Sequence, residues 1–96
     1  MIQWEYHDCR PEGFEYYEAK RGKSYSIAVS KLSDTGTRYT VRWYYKGMTV
    51  IKEHIDAANW NEAKNAAINI VKDYFNRQAI YWRDMKIGFT NWVEEE

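Results

Sequence analysis

The chain has one cysteine, one proline, two histidines and five glycines among its 96 residues, and each shortage removes a class of protein. Cys9 has no second cysteine to pair with, so an internal disulfide is excluded and a reducing, cytoplasmic setting is expected. None of the glycines is clustered, which removes the phosphate-binding loop and the dinucleotide fingerprint. No apolar run approaches the roughly 20 residues of a membrane span. The start, Met1-Ile2-Gln3-Trp4-Glu5, lacks the basic-then-apolar order of a secretory signal. A soluble protein with no membrane partner follows as the expectation.

Two histidines also bound the chemistry. His7, Asp8 and Cys9 carry metal-type side chains, yet structural zinc takes four ligands, usually as two close pairs, and His54 is the sole other imidazole. No metal and no cofactor are expected. Glu53, His54 and Asp56 could in principle furnish an acid and a base. However, neighbours on a strand point to opposite faces, and no activated nucleophile or oxyanion site accompanies them. No catalytic residue is assigned, and a non-enzymatic protein is the expectation.

Aromatic residues, by contrast, are plentiful: nine Tyr, five Trp and three Phe. One domain spanning 1–96 can therefore bury a core without covalent staples. Ile2, Trp4 and Tyr6 alternate with polar residues as a half-buried strand does. Residues 8–13 hold the proline and a glycine and read as a loop. Phe14 to Lys20 reads as a second strand, and Arg21-Gly22-Lys23 turns into a third, Ser24 to Leu32, with Tyr25, Ile27 and Val29 on one face. Ser33-Asp34-Thr35-Gly36 is a turn that closes a hairpin. Arg38 to Lys46 sets Tyr39, Val41, Trp43 and Tyr45 on one face and Thr40, Arg42 and Tyr44 on the other. Gly47 reverses the chain into Met48 to Ile55.

A helix follows at once. Asn59 can cap the first turn and Glu62 can reach back to it. Ala63, Ala66, Ala67, Ile70, Val71, Tyr74 and Phe75 then recur at the spacing of one helical face. The fold class is α+β: an antiparallel meander of four to five strands (1–55) packed by one C-terminal α-helix (59–85), with an acidic tail at 93–96. The expected core is Ala63, Ala66, Ala67, Ile70, Val71 and Tyr74 against Ile27, Val29, Val41 and Trp43. A helix unbroken from Trp60 to Met85 would run ~40 Å, longer than the ~30 Å width of such a domain. Either it kinks near Asn76 to Gln78 and folds Tyr81 to Trp92 back onto the sheet, or its end overhangs as an interface for a partner or a second copy, a homodimer.

The net charge of zero conceals a pattern. Residues 1–18 carry five carboxylates against one arginine, and the chain ends Glu94-Glu95-Glu96, so the middle is basic. Two candidate surfaces result. The first is basic and aromatic: Lys20, Arg21, Lys23, Arg38, Arg42, Tyr44 and Lys46, with cations for phosphates and flat rings for bases. It points to an RNA- or nucleotide-binding module. The second is a protein-contact surface, with Glu12, Glu15, Glu18 and the acidic tail as charges and Tyr81, Trp82, Met85 and Trp92 as anchors.

Two resemblances attach to these residues. Ala63-Lys64-Asn65-Ala66-Ala67, following several strands, resembles the last helix of double-stranded RNA-binding domains. Asn59, Trp60 and Asn61 stand where that family has paired lysines, so the phosphate contact it implies falls on Lys64 alone. In general style, a short aromatic meander with one helix and an acidic tail is similar to small bacteriophage accessory proteins, including anti-CRISPR inhibitors. That likeness implies a viral protein in the host-cell cytoplasm that docks on a larger host protein and occludes a site. The leading expectation is such a protein-binding inhibitor. The alternative is the nucleic-acid module.

Overall fold

A computed structural model describes residues 2–8, 15–31, 36–77 and 83–95, with the side chains of 83–85 and 95 left out. Five strands, β1 (Glu5–His7), β2 (Tyr16–Arg21), β3 (Tyr25–Lys31), β4 (Arg38–Tyr45) and β5 (Met48–Asp56), are followed by helices α1 (Trp60–Arg77) and α2 (Arg83–Glu95). The strands form one open antiparallel sheet in the order β1-β2-β3-β4-β5. The meander is therefore as the alternation implied. The turn expected at 33–36 falls largely outside the described residues.

Each described reversal has a local cause. Lys46 (φ 50°) and Gly47 (φ 80°) both adopt the left-handed conformation between Tyr45 and Met48. This is the two-residue turn whose twist matches that of the flanking strands. Just inside it the register slips: Trp43 faces Ile51 but Tyr44 faces Thr49, leaving Val50 as the extra residue of a bulge.

Facing pairs in a sheet share a face, so the register sorts the side chains. Tyr17, Ala19, Ile27, Val29, Tyr39, Val41, Trp43 and Ile51 lie on one side. Both helices cover it. Phe75 of α1 and Phe89 of α2 meet the Trp43 ring edge-on at 5.6 and 5.2 Å, and Trp60 meets Tyr17 and Tyr39 at 4.9 and 5.1 Å. The stripe that α1 buries is Ala63, Ala67, Val71 and Phe75, each four residues from the last and each fully enclosed. Small side chains at its start let the helix lie close to the sheet. Larger ones toward its end widen the gap, which Trp43, Phe89 and Trp92 fill. Ala66, Ile70 and Tyr74, expected in the core, flank this stripe and are half-buried.

The chain leaves the sheet for α1 under control of a cap. The Glu62 backbone N–H donates to the Asn59 side-chain oxygen at 2.9 Å, and the Ala63 N–H donates to the Asn59 carbonyl at 3.0 Å. At 18 residues α1 is ~27 Å long, about the 24 Å width of the molecule. A second helix, α2, packs beside the first, in keeping with the alternative in which the helical run breaks near Asn76 to Gln78; residues 78–82 lie outside the described residues. Phe89 and Trp92 are buried at 1% exposure, which places the returning helix against the core.

Trp92 is thus a core residue, and its assignment as a surface anchor is corrected: its ring packs on Phe89 and Tyr25. Residues 93–95 belong to the last turn of α2, and Glu96 lies outside the described residues. The Glu94 carboxylate there opposes the helix dipole and weakens that end.

Two substitutions check this packing by thermal melting. Replacing Val71 by Asp puts a charge at a fully enclosed site and is expected to abolish the cooperative transition, whereas Ile70→Asp, beside the stripe, should lower Tm and keep it. Asn59→Ala, which removes the cap, should cost about 1 kcal/mol, or about 4–8 °C in Tm for a domain of this size.

Candidate functional site

The second face of the sheet has no helix on it among the described residues. Three cross-strand rows run over it: His7-Tyr16-Ser30-Thr40-His54, Glu5-Glu18-Ala28-Arg42-Lys52 and Lys20-Ser26-Tyr44-Thr49. In each row β3 contributes the smallest side chain. Ser26, Ala28 and Ser30 form a low floor, while Tyr16, Glu18 and Lys20 of β2 and Arg42 and Tyr44 of β4 rise on either side. The walls stand two strand spacings apart, roughly 9–10 Å.

The resulting groove has two connected parts. One, of about 420 Å³, is lined by Tyr16, Glu18, Ala28, Ser30, Arg42 and Tyr44. The other, of about 310 Å³, shares Tyr44 and continues past Ser26 to Lys20, Gly22, Lys23 and Gly47. A backbone hydrogen bond from the Lys46 N–H to the Ser24 carbonyl ties the two turns at that end together. Lys46 therefore sits beside the lysine-lined end, its ammonium 5.4 Å from the Tyr45 ring centre.

Polar contacts fix the walls without exhausting them. Arg42 donates through Nη1 to the Ser30 hydroxyl at 3.2 Å. Glu18 holds Lys20 at 3.6 Å and His7 at 3.8 Å, both through the same oxygen, Oε1. His7 also stacks on Tyr16 with ring centres 4.7 Å apart. Across the sheet, Thr40 Oγ1 lies 3.0 Å from His54 Nδ1, which buries the hydroxyl and orients the imidazole. Glu53 points to the opposite face from His54, as expected from alternation.

Of the basic and aromatic candidates, Lys20, Lys23, Arg42 and Tyr44 come together in this groove and Lys46 adjoins it. Arg38 shares the face but sits at its far end, paired with Asp56 at 3.6 Å. Arg21 lies in the helix-side row with Tyr25 and Tyr45. Lys64 departs furthest. Its ammonium lies 3.6 Å from the centre of the Tyr17 ring and 5.9 Å from that of Trp4, on the helix-covered side, and burial pushes its pKa below the ordinary lysine value. The phosphate contact implied for Lys64 is thus separated from the other cations by the sheet itself.

Most of the protein-contact candidates lie outside the described residues. Glu12, Tyr81 and Trp82 lie outside the described residues, as does the side chain of Met85, and Trp92 is in the core. Glu15 is committed to the fold: it accepts from the Tyr6 hydroxyl at 2.6 Å and pairs with Lys31 at 3.4 Å. Lys31 in turn sits 5.4 Å from the Trp60 ring centre. Glu18 alone of that set lies in the groove.

Sequence reasoning missed the floor and part of the walls. Tyr16, Ser26, Ala28, Ser30 and Lys52 were not singled out. The signal was present in Tyr25-Ser-Ile-Ala-Val-Ser30, where every second residue is small and its alternates are bulky. No family model, no curated protein and no solved structure matches the chain.

Fold and site residues separate experimentally. Glu15→Ala strands the Lys31 ammonium at a site where both side chains are more than four-fifths buried, and should cost about 1–3 kcal/mol. Tm should fall, while any ligand affinity of the helix-free face stays unchanged.

Proposed function

We propose that this protein is a non-enzymatic binding module that holds a nucleic-acid strand or a nucleotide in the groove over β3. The observation that carries the reading is convergence. Lys20, Lys23, Arg42 and Tyr44, drawn from two strands and a turn, line one channel whose floor is kept low by Ser26, Ala28 and Ser30.

The chemistry of the channel suits a strand. Ammonium groups at the end bounded by Gly22 and Gly47 offer point charges to phosphate oxygens. Tyr44 offers a π-face to bases, and the serines offer hydroxyls to sugar or base edges. A groove two strand spacings wide admits a single strand and is too narrow for a double helix to settle into. The reading thus departs from the duplex recognition suggested by the alanine-rich helix.

Binding of short single-stranded oligonucleotides, followed by fluorescence anisotropy, tests it. With about three phosphates neutralised, log K should fall against log salt with a slope of about −2. Lys20→Ala or Lys23→Ala should weaken all sequences alike and flatten that slope by about 0.7. Absence of binding at low salt would overturn the proposal. It would return the weight to the protein-contact reading, a phage-type inhibitor docking on a larger host protein. That reading now retains Glu18 as its one acidic residue in the groove.

A further inference from the structure

Glu18 is out of place in a phosphate channel, and its position suggests what it is for. It faces Arg42 in the same cross-strand row, with only the Ala28 methyl between them. Opposite charges so placed would ordinarily close on each other. Here Glu18 Oε1 lies 3.6 Å from the Lys20 ammonium and 3.8 Å from His7 Nε2, and Arg42 donates through Nη1 to Ser30. Neither side chain has a further partner among the described residues, and both line the cavity. A carboxylate and a guanidinium, from the strands on either side of β3, thus line one cavity together with Tyr16 and Tyr44.

We infer that this gap is a guanine-binding subsite. Among the bases, guanine alone carries paired donors, N1–H and the 2-amino group, on one edge and paired acceptors, O6 and N7, on another. The donors suit a carboxylate and the acceptors suit the guanidinium fork. Adenine and cytosine offer a single amino donor, and uracil a single N–H, so each gives the carboxylate one hydrogen bond where guanine gives two. The lysine end of the groove lies where the attached phosphate would fall. The inference rests on the nucleotide reading above and sharpens it.

Titration of the full chain with GMP, AMP, CMP and UMP at low salt, by calorimetry or tryptophan emission, tests it. A single guanosine in an otherwise uridine heptamer distinguishes a free nucleotide from a strand as the source of the base. GMP should bind about tenfold or more tighter than the others, and the heptamer should exceed an all-uridine one by the same factor if a strand is the ligand. Glu18→Gln keeps the shape and removes the charge. It should tighten AMP, CMP and UMP slightly, because a negative charge leaves the phosphate channel, and weaken GMP. Arg42→Lys should keep the salt slope and lose the guanine preference. Equal affinity for all four nucleotides, or an E18Q variant that tightens GMP along with the rest, overturns the guanine subsite while leaving strand binding intact. Failure of every nucleotide and oligomer to bind overturns both.

Discussion

One-sided coverage of the sheet is the constraint on which the molecule depends. The α1 stripe of Ala63, Ala67, Val71 and Phe75 follows a strict four-residue spacing, so it forms a single ridge that can bury itself only against one surface. The only apolar surface broad enough is the face bearing Val29, Val41 and Trp43. Once α1 lies there, α2 must occupy the widening space over Trp43 and Tyr25, since its own Phe89 and Trp92 have no other apolar surface to meet. Both helices are then committed to the same side, which leaves the other face without a helix among the described residues.

That asymmetry is written into individual strands. In β3 the helix-side positions hold Tyr25, Ile27 and Val29, while the intervening positions hold Ser26, Ala28 and Ser30. A strand central to a two-sided core would be apolar throughout, whereas an exposed strand serving solubility alone would carry longer charged side chains between its buried ones. Small residues do neither. They lower the middle of the exposed face by the length of a side chain relative to β2 and β4, and a flat sheet becomes a channel. Charge divides in the same way. On the covered side, Lys31 and Lys64 are consumed by Glu15 and by the rings of Trp60 and Tyr17; on the bare side, Arg42 and Glu18 keep bonding capacity that the fold does not use.

The fold was largely legible because its signals are local. Alternation marked β3, β4 and β5 to within a residue or two, Gly47 marked the tight turn, and Asn59 with Glu62 marked the helix start. The second helix was harder to read, since the apolar spacing of α1 runs on through Tyr81 and Trp82 as though unbroken. Only the mismatch between helix length and domain width indicated the break. Trp92 misled for a related reason: an aromatic residue near a charged terminus looks like a rim residue until a returning helix brings it to the centre. The groove was half legible. Lys20, Lys23, Arg42 and Tyr44 could be listed from composition, but a list of cations carries no register. Arg21 and Lys64 belonged to it by charge and fall out of it by geometry. Glu18 was read as a charge for a protein partner because nothing in the linear sequence places it opposite Arg42.

Register also decides which charged groups share the groove. Cations scattered on a surface attract any polyanion, and their contribution is independent of sequence. Discrimination requires groups held at a fixed separation, with part of their hydrogen-bonding capacity committed to the scaffold so that the rest points one way. Antiparallel pairing supplies the separation, because Glu18, Ala28 and Arg42 are locked in one row by the same ladder that aligns Ala19, Ile27 and Trp43 in the core row beside it. A slip of one residue in β3 against either neighbour would turn Ile27 outward and move the floor of the groove inward. The core cannot accept that slip, so the packing of Trp43 against Phe75 and Phe89 also fixes the spacing of a carboxylate and a guanidinium on the opposite side of the sheet.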